Sequence, residues 1–348
     1  MAIEMQTIQW SQLASDAQQE LLRRPVFDQP GLADSVSDIL RQVRNGGDAA
    51  LLELTRRFDG VTPAVLEAPA SQWRDAASRV KPELLNAIRD ASERIEAFHR
   101  SDMPRDSRIE TAPGLSCEVR YQALDPVGLY IPGGSAPLLS TVLMLAIPAR
   151  LAGCSEIVMC SPPGKDGRIG DAVLTAAELC GVTRVFCVGG AQAIAAMAYG
   201  TESVPRCVKI FGPGNAWVTE AKQQVSQDAE GAAIDLPAGP SEVLVIADGA
   251  ADAEHVAWDL LSQAEHGPDS QVLLLTDSDA LAAAVIAQLA DLAPRSLRSA
   301  ILERSLAASR IIRVDDLDSA VSLSNDYAPE HLILNTANAA ELAGRVRN

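Results

Sequence analysis

Aromatic side chains are scarce in this chain: phenylalanine, tryptophan and tyrosine make up 4% of its 348 residues. The core must therefore be aliphatic and alanine-rich, within a hydrophobic share of 47% that is ordinary for a globular protein. No apolar run approaches the ~20 residues needed to span a bilayer; the best, 142–149, is broken by Pro148 and Arg150. The opening MAIEMQTIQW lacks the basic region and apolar stretch of a signal peptide, so a soluble, cytoplasmic chain is expected. Positive charge is also short, with 29 Lys and Arg against 46 Asp and Glu and a net charge of −17. Such a surface repels nucleic-acid phosphates and anionic lipid, so neither nucleic acid nor a membrane is an expected partner. It does not exclude a dinucleotide, because amides at helix N-termini bind a pyrophosphate locally. None of the six cysteines (117, 154, 160, 180, 187, 207) forms a C-x-x-C pair, which argues against a zinc ribbon or a thioredoxin-type motif. Cys160 and Cys187 lie in apolar strand patterns and read as buried reduced thiols.

What is present is organised in two styles. The first ~110 residues read as mainly helical. Val36, Ile39, Leu40 and Val43 share one helical face that ends at Gly46-Gly47, and Asp48 can cap a second helix carrying Leu51, Leu54 and Phe58. A third helix follows Pro82, with Leu84, Ile88, Ala91, Ile95 and Phe98 on one face; Pro82 suits a first helical turn. From about residue 117 short apolar runs alternate with helical stretches: 127–131, 157–160, 185–188, 208–211, 243–247, 272–275, 311–314 and 332–334. That alternation predicts an α/β fold with parallel sheet covered on both faces. The Ala-Gly-Pro turn at 238–240 is the best join between two α/β units.

Three glycine-rich turns follow predicted strands, at Pro132-Gly133-Gly134, Gly189-Gly190 and Gly212-Pro213-Gly214-Asn215. None completes G-x-G-x-x-G, since Trp217 occupies the last glycine position of the third. Each alone reads as a tight loop; three on successive βα units point to a ligand crevice.

Two polar clusters stand out. In LSQAEHGP the helix is expected to end at Gly267-Pro268, with Gln263 and His266 three apart on its last turn. An imidazole nitrogen and an amide oxygen there could share a divalent metal, although two ligands do not make a site and a C-terminal histidine can equally serve free carbonyls. In YAPEHL, Pro329 sets an extended lead-in to a short strand. Glu330 and His331 are neighbours whose side chains reach one site only at a strand end or bend. A histidine near neutral pKa can take a proton from an alcohol, and a carboxylate can activate water; a solvated strand-edge pair is the plain alternative. His255 reads as a surface residue, and His99, beside Phe98, as a core or supporting histidine.

At these residues the sequence closely resembles histidinol dehydrogenases. The resemblance is carried in order by VRNGGDAALLELTRRFDG, IEAFH, VGLYIPGGSAPLLSTVLMLAIPARLAGC, VGGAQAIAAMAYGTESVP, KIFGPGNAWVTEAK, IDLPAGPSEVLVIAD, DLLSQAEHGPDSQ and NDYAPEHLIL, and spans nearly the whole chain. It implies oxidation of L-histidinol to L-histidine through an aldehyde, with two NAD+ and one water, at a Zn2+ site. It assigns Gln263 and His266 as two zinc ligands and Glu330 and His331 as the acid–base pair. Ser241 is implied as a substrate contact, together with Gln263, His266, Glu330 and His331. Tyr130, Gln192 and Asn215 match NAD positions. The implied fold is two incomplete Rossmann-like parallel-sheet units with an N-terminal helical region. The expected division is an N-terminal segment 1–27, a first α/β domain of 28–129 together with 239–348 carrying the zinc and catalytic residues, and an inserted second α/β domain 130–238 on the NAD side. The resemblance also implies a homodimer. The family's other two zinc ligands, an aspartate and a partner-subunit histidine, belong to a later region with a G-D-[YW]-x-S-G-x-N-H type motif, so the C-terminal domain is expected to be absent and the zinc site incomplete here.

Three other readings compete: a relative acting on another polar alcohol, an aldehyde dehydrogenase with Cys154 or Cys160 as nucleophile, and an NAD-binding or dimerising module without turnover.

Overall fold

The structure is a computed structural model that describes residues 5–24, 30–133, 139–236 and 241–348. The chain divides into two compact units, one of Met1–Gln29 with Gly239–Asn348 and the other of Pro30–Ala238. The first unit opens with strand β1 (Gln6–Gln9) and helix α1 (Ser15–Leu21). Residues 1–27, expected as a separate segment, thus supply an edge strand to this unit.

The second unit begins with α2 (Leu32–Asp59), α3 (Ala70–Arg74) and α4 (Pro82–Ser101). An exposed antiparallel hairpin follows, β2 (Ser107–Ala112) and β3 (Leu115–Val119). Then come β4 (Val127–Tyr130), α5 (Leu139–Ala152), β5 (Ile157–Ser161), α6 (Asp171–Cys180) and β6 (Arg184–Cys187). The unit closes with α7 (Gly190–Tyr199), β7 (Lys209–Phe211), α8 (Ala216–Gln227) and β8 (Ala233–Ile234). Its five-stranded sheet is parallel, in the order β6-β5-β4-β7-β8.

Alternate residues of each strand enter different cores, which is why the strands read as unbroken apolar runs. Val158 and Cys160 of β5 pack with Val36, Val43, Leu51, Leu54, Ile194 and Met197 from α2 and α7. Ile157 and Met159 face Ile88, Ile147 and Leu174 from α4, α5 and α6. The helical region therefore belongs with the sheet of residues 127–234. This corrects the expectation that 28–129 shares a domain with 239–348: the apolar stripes of α2 and α4 are buried against this sheet. The join at 238–240 lies outside the described residues.

Helix α2 also departs from expectation. Two helices meeting at Gly47 run on as one kinked element, with Gly47 at φ 53°, ψ −138°. Asp48 does not cap the second half. Its amide donates to Glu202 (2.7 Å), while its carboxylate accepts from the Thr201 hydroxyl (2.6 Å) and the Ser203 amide (3.2 Å). The positive φ is what favours glycine at position 47; a Cβ there would lie 2.2 Å from the Glu202 carboxylate, which would have to swing aside.

The first unit resumes with β9 (Glu242–Ala247), α9 (Ala253–Ala264), β10 (Gln271–Thr276), α10 (Asp279–Leu292) and α11 (Ser299–Ala307). It ends with β11 (Arg310–Arg313), α12 (Leu317–Tyr327), β12 (His331–Asn335) and α13 (Ala339–Ala343). Its parallel sheet has the order β1-β11-β10-β9-β12. Val243, Val245, Val272 and Leu274 bury against α9, α10 and α11, and Leu244, Ile246, Leu273 and Leu275 against α12 and α13. In the second unit the chain builds outward from β4 and then returns to its other side; in the first unit it does the same around β9, with β1 added beyond β11 at the edge, which leaves switch points between β4 and β7 and between β9 and β12.

Candidate active site

Strands β9, β10 and β12 start together, with Glu242 beside Gln271 and Val243 beside His331. Glu330 sits in the bend before β12 and His331 is its first residue. Both side chains are open to solvent, at 42% and 57% exposure, and Glu330 Oε2 lies 3.5 Å from His331 Nδ1. The neighbours thus meet because the strand begins between them. They stand at the amino-terminal ends of the strands, whereas open α/β sheets usually bind ligands at the carboxyl ends.

The approach to this bend is held tightly. Helix α12 ends at Ala328, a left-handed non-glycine residue (φ 53°, ψ 67°) immediately before Pro329. That conformation costs about 1 kcal/mol or more and needs outside support. Arg24 supplies it: Nη2 donates to the carbonyls of Tyr327 and Ala328, each at 2.9 Å. The same guanidinium makes a two-pronged ion pair with Glu242, both contacts at 2.8 Å. The hydrogen bonds to Glu242 raise the Arg24 pKa further, so the guanidinium stays charged. The Tyr327 hydroxyl lies 2.8 Å from both Glu242 Oε2 and Gln271 Oε1; burial first, then the Glu242 charge, pushes its pKa up.

Glu242 in turn touches both solvent-facing residues. Its Oε1 accepts from the Glu330 amide (3.1 Å), its amide donates to Glu330 Oε2 (3.3 Å), and its carbonyl lies 3.2 Å from His331 Nδ1. A proton on Nδ1 satisfies that carbonyl and the Glu330 carboxylate together, and leaves Nε2 as the free base. Arg24, Glu242, Gln271 and Tyr327 were not singled out from the sequence. The available signal was a lone glutamate opening the otherwise apolar strand EVLVIA: a buried carboxylate must find partners. Ser241 adjoins this cluster through the chain and is half-buried.

Helix α9 runs antiparallel to the strands it connects, so its C-terminus comes to the same sheet edge. It ends at Ala264, one turn earlier than expected, and His266 follows in a turn closed by its amide to the Gln263 carbonyl at 3.2 Å. Pro268 disfavours helix at Gly267, which explains the early stop. Gln263 is half-buried and His266 exposed. Among the described residues, no group of three or more His, Cys, Asp or Glu could hold a metal ion. Gln263 and His266 are two donors, short of the three or four protein ligands of a zinc site, so the described residues do not by themselves fit the metal.

The second unit carries its glycine turns at the carboxyl strand ends. Gly134 lies outside the described residues. Tyr130 ends β4, and its hydroxyl accepts from the Gly190 amide at 3.1 Å; burial pushes its pKa up to about 12. Gln192 is buried, and its Oε1 would lie 2.7 Å from a Cβ on Gly190, where φ is +65°. Tyr130 and Gln192 therefore gather at one turn. Asn215 caps α8, accepting from Trp217 (3.1 Å) and Val218 (3.2 Å). It joins the others through Gly212, where a Cβ would come 2.2 Å from the Tyr130 carbonyl. The buried Lys222 donates to the Gly212 carbonyl at 2.8 Å and pairs with Asp235, which accepts from the Gly212 amide at 2.9 Å. The turns after β4 and β7 flank the switch point and the Tyr130 hydroxyl reaches the turn after β6; glycine-lined strand–helix turns of this kind fit a dinucleotide.

The cysteine alternative finds no support here. Cys160 is fully buried, with a pKa pushed well above the thiol range by burial, and Cys154 is raised by burial and by Asp125. A nucleophilic cysteine needs the opposite setting. His255 is exposed; His99 is half-buried, with its ring edge-on to the exposed Phe98.

A solvent-facing carboxylate and imidazole, held from behind by the buried Glu242 and its Arg24 partner, are groups capable of acid–base chemistry, here on an α/β scaffold. The histidinol dehydrogenase family model matches residues 22–348, and the chain belongs to that family. It is 58% identical to the histidinol dehydrogenase of Xylella fastidiosa over 331 residues, covering 95% of this chain and 77% of that protein. The corresponding Colwellia psychrerythraea protein is 49% identical over 344 residues, 99% of this chain and 79% of its own length. The crystal structure of histidinol dehydrogenase from Elizabethkingia anophelis superimposes with a TM-score of 0.94 at 41% identity, covering all of this chain and 79% of that one.

Proposed function

We propose that this protein oxidises L-histidinol to L-histidine through the aldehyde, a four-electron reaction that consumes one water and two NAD+. The observation that carries the reading is the pairing of Glu330 with His331 at the start of β12, 3.5 Å apart and open to solvent. In the first half, His331 Nε2 takes the hydroxyl proton of the alcohol. In the second, Glu330 takes a proton from the water that attacks the aldehyde, and His331 removes the hydroxyl proton of the resulting hydrate. NAD+, when bound, accepts one hydride in each half.

Tyr130, Gln192 and Asn215 hold the dinucleotide at the glycine turns, and the two sheets are read as incomplete Rossmann-like units. Ser241, Gln263, His266, Glu330 and His331 contact the substrate. Gln263 and His266 are the chain's contribution to the family's zinc site. Homodimeric assembly and a cytoplasmic location complete the reading. Among the described residues, no helix is long and apolar enough to cross a membrane.

NADH formation with histidinol and a panel of other polar alcohols tests the substrate. Histidinol is expected to lead in kcat/KM by at least ~10-fold, the discrimination that a few placed polar contacts supply. A different alcohol in first place contradicts the assignment.

A further inference from the structure

Glu242 is 5% exposed, opens β9, and has every carboxylate contact spoken for. Oε1 accepts from Arg24 and from the Glu330 amide; Oε2 accepts from Arg24 and meets the Tyr327 hydroxyl. Its main chain then reaches back: the amide holds the Glu330 carboxylate and the carbonyl meets His331 Nδ1. One residue thus fixes the backbone of the acid, the side chain of the acid and the ring of the base.

We propose that Glu242 is the positioning residue of this site: its ion pair with Arg24 and its contact with Tyr327 lock the Glu330 carboxylate and hold His331 with Nε2 free to accept a proton. Two features support this over a purely structural role. The network of buried Glu242 and Tyr327 with the more exposed Arg24 converges on the two exposed side chains of the bend, not on the core. The left-handed Ala328, which turns the chain into that bend, is carried by the same guanidinium that pairs with Glu242. A small displacement of a catalytic group costs orders of magnitude in rate, so strain held at this turn has a functional return.

The proposal rests on the reading of Glu330 and His331 as the acid–base pair, and its test separates the two. The chain has four histidines, so histidine-selective nitrogen labelling with His331→Asn as the assignment control reads the His331 tautomer directly. In the unaltered protein the neutral ring is expected to carry its proton on Nδ1. Glu242→Gln is expected to reduce that preference several-fold and to lower kcat about 10- to 100-fold, with the KM for histidinol changed less than about 3-fold. Tyr327→Phe removes only the hydroxyl that holds Glu242 and is expected to act in the same direction, about 3- to 10-fold; it serves as the test if Glu242→Gln does not fold. A lowered melting temperature with unaltered tautomer and kcat in the folded variant overturns the inference. Full NADH formation by His331→Asn overturns the acid–base reading instead, whatever Glu242→Gln does.

Discussion

At the scale of single residues, the proposed chemistry is divided between neighbours. His331 presents Nε2 once Nδ1 is committed to the Glu242 carbonyl, and Glu330 presents a carboxylate whose Oε2 also receives the Glu242 amide. A positioned acid or base is worth about 10²- to 10⁴-fold in rate. His331→Asn is therefore expected to remove both oxidations by that factor. Glu330→Gln is expected to slow the water-dependent oxidation of histidinal more than the oxidation of histidinol. Separate steady-state assays with each substrate check this, and equal losses contradict the division of labour. The Glu330-His331 pair and the Gln263-His266 spacing were legible in the sequence because each is a local pattern. The supporting layer was not: Arg24, Glu242, Gln271 and Tyr327 are brought together only by strand order, over separations of up to 303 residues.

At the scale of elements, all eight apolar runs became strands; most are buried on both faces and show it in composition, while β12, the least buried, still carries the apolar Leu332-Ile333-Leu334. The exposed β2–β3 hairpin went unrecognised for the converse reason: with every residue exposed, nothing selects an alternating pattern. The 2-residue β8 is too short to leave a signal. At the α2 kink the glycines were legible and the role of Asp48 was not, since its partners lie 153 and 155 residues away. Burial, the largest influence on Asp48, pushes its pKa up, but hydrogen bonds from Ser203 and Thr201 together outweigh it and hold the carboxyl below its ordinary value. A depressed folded-state pKa contributes stability above the unfolded value of about 3.9, lost as pH falls through the folded one. Asp48→Ala is expected to cost about 1–2 kcal/mol at neutral pH. The melting-temperature gap to the unaltered protein should stay constant from about pH 5 to 8 and narrow below about pH 4. A gap that widens on acidification contradicts the role.

At the scale of the whole molecule, the α/β class was readable from alternation alone, while the partition of the chain was not. Amphipathic stripes on α2 and α4 say that a face is buried but not against which sheet, and they pack on the sheet of 127–234. The negative surface likewise limits partners without naming a substrate. The central question is whether one acid–base pair carries an alcohol all the way to an acid. The decisive measurement is the amount of NADH formed per histidinol consumed, taken to completion with NAD+ in excess. Two NADH per histidinol, with histidine as the end product, is the predicted result; one NADH with the aldehyde left over would contradict it.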